Sequence, residues 1–300
     1  MPNEVSSTPQ KDGHRSRGGT QLANELPNEN QFMVQWQRTW NAEFSLAEKI
    51  QLIALELLDG GRSALPSGLE QWKIIVLMGL LAKTIKSFRA LILLVQHGLT
   101  ADANGLLRTL FLTWAVIRWI CNEPSEAEER ARRYIEICFA QERRFRNAAR
   151  SNRSLQDLLC GEMGQSLEDF INSMVERHGE EGVAQLAQEC PWKSDEHVAR
   201  VSDLLVGYDL LYRRTSQTLH AQDITEHVWI DPASGNIVVN AFPTERMGQG
   251  QLTLGFKTLL LVLIDFDRAI GCNMEHALNL VQQCTDELWA RQQNQGVAAG

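Results

Sequence analysis

Apolar positions recur at three- and four-residue spacing through most of the chain, a period that predicts one helix after another. "SLAEKIQLIALELLDGG" (45–61) opens on an S-x-x-E capping box, Ser45 and Glu48, and meets a stop at Gly60-Gly61. A second helix is predicted from about Gly68 to His97, with Gly98 as its left-handed cap. A third runs from near Thr100 to Asn122. Ser125 and Glu128 repeat the capping box ahead of an arginine-rich helix that reaches about Arg150. Two shorter helices are predicted, one from Ser166 and one over Glu180 to Glu189. "CPWKSDEHVARVSDLLVGYDLLYRRTSQTLH" (190–220) reads as a helical stretch capped near Ser194, with Gly207 as a point of interruption.

After His220 the period changes. "HVWIDPASGNIVVN" (227–240) sets two short β-type runs around a Pro/Gly turn. "LTLGFKTLLLVLIDFDRAI" and "MEHALNLVQQCTDELWARQ" then return to helical spacing. The expected fold class is therefore all-α, a multi-helix bundle with a small β-hairpin excursion near 228–240. No repeat period and no linker divides residues 31–293, which are expected to form a single α-helical domain. Residues 1–30, rich in Pro, Gly, Ser and polar side chains, are expected to be a disordered tail, and 294–300 a flexible one.

Two long apolar runs raise a membrane reading, which their charges oppose. "WKIIVLMGLLAKTIKSFRALILLV" contains Lys83, Lys86 and Arg89, and "GLLRTLFLTWAVIRWIC" contains Arg108 and Arg118. Each charge near a span's centre costs about 2.5–3.5 kcal/mol on insertion scales, so both runs are expected as buried helices. The N-terminus has no apolar segment of signal-peptide type, and the six cysteines include no C-x-x-C. The expectation is a cytoplasmic chain with reduced thiols, no membrane association, no cofactor and no metal. A net charge of −8 argues against a protein that coats nucleic acid nonspecifically.

Nucleotide-binding glycine loops and a G-x-S-x-G elbow are missing. Glu196-His197, Glu226-His227 and Glu275-His276 are adjacent pairs rather than the Glu-x-x-His of a di-iron bundle. "YDLLYRRTSQTLH" (208–220) is the stretch that offers chemistry. On an unbroken helix Arg213 and His220, seven apart, lie within roughly 20° on one face, with Ser216 near the same line. Arg214 lies about 120° from His220, so that geometry favours Arg213 as a phosphate partner. Histidine titrates near neutrality and suits proton transfer at a ribose 2′-hydroxyl, while arginine's fork suits a phosphorane's charge.

Arg-x(4–6)-His on a late helix of an α-helical bundle resembles the HEPN superfamily, many members of which are metal-independent ribonucleases of toxin–antitoxin and anti-phage systems. Arg214 fits with five intervening residues and Arg213 with six. The resemblance implies a catalytic His220 with Arg213, Arg214 and Ser216 around it, usually in a homodimer. A second resemblance covers about residues 70–230. "SFRALILLVQHGLTADANGLLRTLF" and "YDLLYRRTSQTLHAQ" are similar to the two blocks of a bacterial family catalogued as a domain of unknown function. That family implies a helical bundle and no particular activity. It carries Glu after Leu-Phe where this chain has Leu112, a departure that bears on catalysis if the carboxylate orients a catalytic group in relatives.

Other residues admit two readings. Arg108, inside an apolar helix, is either a buried cation paired with a carboxylate such as Asp102 or one from another helix, or a phosphate contact. Tyr208 and Tyr212 read as core. Arg143, Arg146, Arg150 and Arg153 recur along one helical face and could follow an RNA backbone, or form a solvated face for an acidic protein partner. The two expectations are a HEPN-like endoribonuclease acting on RNA and a noncatalytic helical dimer serving as scaffold, sensor or partner-binding module.

Overall fold

The computed structural model describes residues 29–63, 71–150, 165–189, 194–213, 228–230, 235, 237–239 and 248–298. The fold is an all-α multi-helix bundle. Its elements are α1 (Glu29–Thr39), α2 (Asn41–Ser63), α3 (Trp72–Gln96), α4 (Thr100–Cys121) and α5 (Ala127–Arg150), then α6 (Gln165–Leu186) and α7 (Asp195–Val201). A helical turn at Leu205–Gly207 leads into a π-helical turn, Tyr208–Arg213. Two long helices, α8 (Gly248–Ile270) and α9 (Glu275–Ala298), close the chain. Between them and the π turn, β1 (Val228–Ile230) pairs antiparallel with β2 (Ile237–Val239), Val228 opposite Val239.

Helices α3, α4 and α8 pack on one another at the centre. They bury Phe88, Leu91, Leu107, Phe111, Phe256 and Phe266 almost completely. Burial of this kind, at about 1.5–3 kcal/mol for each large apolar side chain, is what holds the bundle together. α2 and α9 cover one side, α5 lies against α3 and α4, and α7 with the π turn lies against α4. α6 packs on α5 around a smaller cluster of Ile137, Ala140, Met174, Val183, Leu186 and Ala187.

Several expected boundaries move, each for a physical reason. Ser45 and Glu48 do not start a helix, because α2 already begins at Asn41. Nor do Gly60 and Gly61 stop it. Gly61 is interior, and a Cβ there would lie 2.2 Å from Met78 Sδ and 3.2 Å from the Phe266 ring, so the glycine serves close helix packing. α3 starts at Trp72 rather than Gly68, while Gly98 adopts φ +71 at its end and Thr100 opens α4.

The Ser125/Glu128 box is replaced by a tertiary contact. The Ser125 hydroxyl donates to Glu123, and the Glu128 carboxylate accepts the backbone amides of Trp72 and Lys73 at the start of α3. An acid on one helix thus caps the N-terminus of another. The two short helices form one element interrupted at Gly179, where φ is +68° and ψ 168°. Ser194 does cap α7, accepting from the His197 amide at 3.1 Å. The chain does not stay helical to Arg213, because a turn with Asp203 at φ +57 and then the π turn intervene. α9 continues to Ala298, through most of the segment expected as a tail from 294. Apart from its last two residues, the N-terminal tail lies outside the described residues.

Candidate functional site

Arg108 and Tyr212, one from each block singled out in the sequence, meet on the flank of α4. Arg108 sits mid-helix, where an unpaired cation would be costly, and it reaches outward to the first turn of α7. Its guanidinium lies 4.3 Å from the Tyr212 ring centroid, donates to the Tyr212 hydroxyl, and is 3.7 Å from Asp195 Oδ2. The Tyr212 hydroxyl in turn donates to Asp195. Burial and the neighbouring carboxylate push the Tyr212 hydroxyl above its ordinary pKa, so it stays protonated and keeps this donor role. Tyr212 is only 7% exposed and packs against Phe111.

The aromatic side of the cluster continues outward. Tyr208 stacks on Tyr212 with centroids 4.7 Å apart and planes 14° from parallel. Arg213 lies over the outer Tyr208 ring at 5.5 Å. Two arginines therefore bracket a tyrosine pair, an arrangement favoured by the rings' negative faces. Local structure makes this possible. The π turn carries Tyr208 and Tyr212 to one side, and Gly207 allows the close approach, since a Cβ there would lie 2.9 Å from the Phe111 ring. On the α7 side, the Ser202 hydroxyl donates to the Ala115 carbonyl and the Asn122 amide to the Val201 carbonyl, which fixes α7 on α4.

Arg213, the described member of the Arg–His motif, is 60% exposed at its side chain. It is ion-paired to Asp209 at 3.2 Å and to Glu196 at 3.6 Å. Arg214, Ser216 and His220 lie outside the described residues, as does Arg153. Arg150 is the last residue of α5, and its side chain lies outside the described set. Two members of the basic stripe have definite partners. Arg143 makes two hydrogen bonds to Glu180, 2.8 and 2.9 Å, and Arg146 donates to Glu142 at 2.6 Å. Leu112 packs against the main core.

Asp195 and Glu196 were not among the sequence candidates. The available signal was the acidic first turn after the Ser194 cap, facing a half-buried arginine in α4 and another in the π turn. Asp102, the nearer carboxylate in sequence, is not Arg108's ion-pair partner. Among the described residues, no group of His, Cys, Asp and Glu side chains could hold a metal ion, and no helix is long and apolar enough to cross a membrane.

Residues 74–236, more than half of the chain and including both blocks, match the model of a family of unknown function (DUF5677). No curated protein and no solved structure matches the chain.

Proposed function

Given that the chain belongs to this family of unknown function, which passes on no chemistry, we propose from the site itself that it is a HEPN-like, metal-independent endoribonuclease of a defence or toxin type. The observation that carries this reading is the convergence of Arg108, Tyr212 and Asp195 at the start of the Arg213–His220 segment. A polar network tied to α4 fixes Tyr212, next to Arg213, and a preorganised site needs such support.

His220 acts in proton transfer. It accepts the 2′-hydroxyl proton as that oxygen attacks the adjacent phosphorus, and the P–O5′ bond breaks. The products are a 2′,3′-cyclic phosphate and a 5′-hydroxyl, the leaving oxygen taking back the proton that His220 accepted. Arg213 or Arg214 stabilises the phosphorane's charge, and Ser216 contributes a hydroxyl. Arg143, Arg146, Arg150 and Arg153 contact the RNA backbone, and a second copy of the chain completes a shared cleft.

The test is cleavage of structured RNA by the purified chain in EDTA. His220→Ala abolishes cleavage with unchanged melting temperature under this reading. Cleavage that requires a divalent metal, or survives His220→Ala, overturns it. One observation favours the noncatalytic alternative, a dimeric scaffold or sensor: Arg143, Arg146 and Arg213 already have carboxylate partners within the chain. Complete inactivity of the wild-type chain toward RNA, with a stable dimer in solution, is the outcome that reading expects.

A further inference from the structure

A cavity of about 380 Å³ opens at the end of the bundle where the C-termini of α4 and α8 meet the N-terminus of α3. Lys73, Arg118 and Arg268, one from each of those helices, line it, and Asp265 is the one carboxylate among its described lining residues. Asp265 is already engaged. Its Oδ2 accepts from the Trp114 indole at 2.7 Å and lies 3.5 Å from Arg118 Nε, and its Oδ1 lies 3.9 Å from Arg268. Lys73 Nζ donates to the Ala269 carbonyl at 3.0 Å, and among the described residues no carboxylate lies within ion-pair distance of it.

The charge balance favours an anion. Three cations against one carboxylate leave two positive charges, and the two helix C-termini offset about one of them. Cations commonly complement helix C-termini, and Arg118 and Arg268, in the last turns of α4 and α8, suffice for that. Lys73 arrives from a third helix and commits one of its three donors to the Ala269 carbonyl near the end of α8. Burial pushes the Cys121 thiol up to about 11, so this wall residue adds no negative charge at neutral pH. A positive cavity in a chain of net charge −8 is a local concentration rather than a reflection of composition.

We infer that this cavity binds a phosphate monoester of mononucleotide size, its phosphate held by Lys73, Arg118 and Arg268. Guanidinium forks match phosphate oxygens in pairs, and a lysine ammonium adds a point charge. Apolar wall atoms of Ala269 and Cys121 provide contact for the organic part, and the volume falls within the range of about 300–1,000 Å³ usual for small-molecule sites. None of its described lining residues belongs to the Arg213–His220 segment, and the site does not rest on ribonuclease activity.

Calorimetric titration of the full chain with adenosine 5′-monophosphate, adenosine and citrate tests the inference. The nucleotide is expected to bind saturably at one site, with adenosine and citrate at least about tenfold weaker. Arg268→Gln changes a guanidinium that is 76% exposed, so the fold should persist. Lys73→Gln retains a donor for the Ala269 carbonyl. Each is expected to weaken the nucleotide about tenfold, as for loss of one charge-assisted hydrogen bond. No saturable binding of the nucleotide up to about 10 mM would overturn the inference. Nucleotide binding unchanged in both variants, or matched by adenosine or citrate, would overturn it equally.

Discussion

At the centre of the bundle, α3, α4 and α8 bury Phe88, Phe111, Phe256 and Phe266 against one another. Where α6 meets α5, the buried apolar set is smaller, and Glu136 of α5 is a carboxylate only 1% exposed. Arg177 reaches that carboxylate at 2.8 Å, His178 at 3.5 Å and Arg132 at 3.6 Å. A further pair, Arg143–Glu180, joins the two helices, and Arg133–Glu189 ties α5 to the turn that follows α6. The centre rests on non-directional burial, which scales with area and tolerates salt. The α5–α6 arm rests on charge pairs, which contribute little net stability when exposed and cost much when one buried partner is lost. Stability should therefore be uneven, with the arm opening before the centre.

The largest expected effect tests the centre. Phe88→Ala removes a fully buried ring between α3 and α8, where it contacts Phe256. It should lower unfolding free energy by about 3–5 kcal/mol. Urea denaturation followed by far-ultraviolet circular dichroism checks this, and a loss below about 1 kcal/mol would contradict the packing described.

Glu136→Gln tests the arm. It leaves Arg177 and Arg132 without their shared carboxylate, but both guanidiniums are partly exposed, which moderates the penalty. A loss of about 1–3 kcal/mol is expected, confined to the arm. Hydrogen exchange should show faster exchange across α6 while α3 and α4 amides keep their protection. Uniform acceleration would mean that arm and centre unfold as one unit.

Gly179→Ala should cost about 1–3 kcal/mol, because φ +68° with ψ 168° belongs to glycine almost alone. No atom stands within 4 Å of a Cβ at this position, so the cost is one of backbone conformation rather than collision. Gly250→Ala in α8 makes a useful contrast, since that Cβ is equally unobstructed but the backbone is helical. Alanine there should be neutral or stabilising by up to about 1 kcal/mol.

The smallest effect is the Arg143–Glu180 pair. Its hydrogen bonds hold the Glu180 carboxyl below the ordinary 4.5. A carboxylate with a lowered folded pKa stabilises the fold above that ordinary value, and the contribution disappears as pH falls through the lowered one. A double-mutant cycle on Arg143→Ala and Glu180→Ala should show weak coupling at pH 7. The coupling should be absent in strong acid and reduced by salt.

Much of this was legible in the sequence, though not evenly. Helical periodicity located the central helices within a few residues, because one buried stripe per helix is enough to reveal each. The Ser194 cap and the αL glycine at Gly98 were readable for the same reason: each involves groups a few residues apart. Of the candidate site, the sequence pointed to both blocks and to the alternatives for Arg108, but not to Asp195, its partner across more than eighty residues. Helix geometry alone put Arg213 on one line with His220. The π turn changes that starting geometry, and the close packing of Gly207 on Phe111 just before it is tertiary.

The sequence by itself determined most of the helical segments, though not α1, and which positions are apolar, since propensity and i, i+4 hydrogen bonding act over a few residues. It also set the −8 charge and the arginine spacing on α5. Tertiary structure alone decided what the polar residues do. It turned Glu128 from a supposed cap of its own helix into the cap of α3, and Gly61 from a stop into a packing contact. It also gave Arg143 and Arg146 their different carboxylates, one across an interface and one a turn away. The physical reason is range: hydrogen bonds and ion pairs form between whatever groups the packed bundle brings within about 3–4 Å, whatever their separation along the chain.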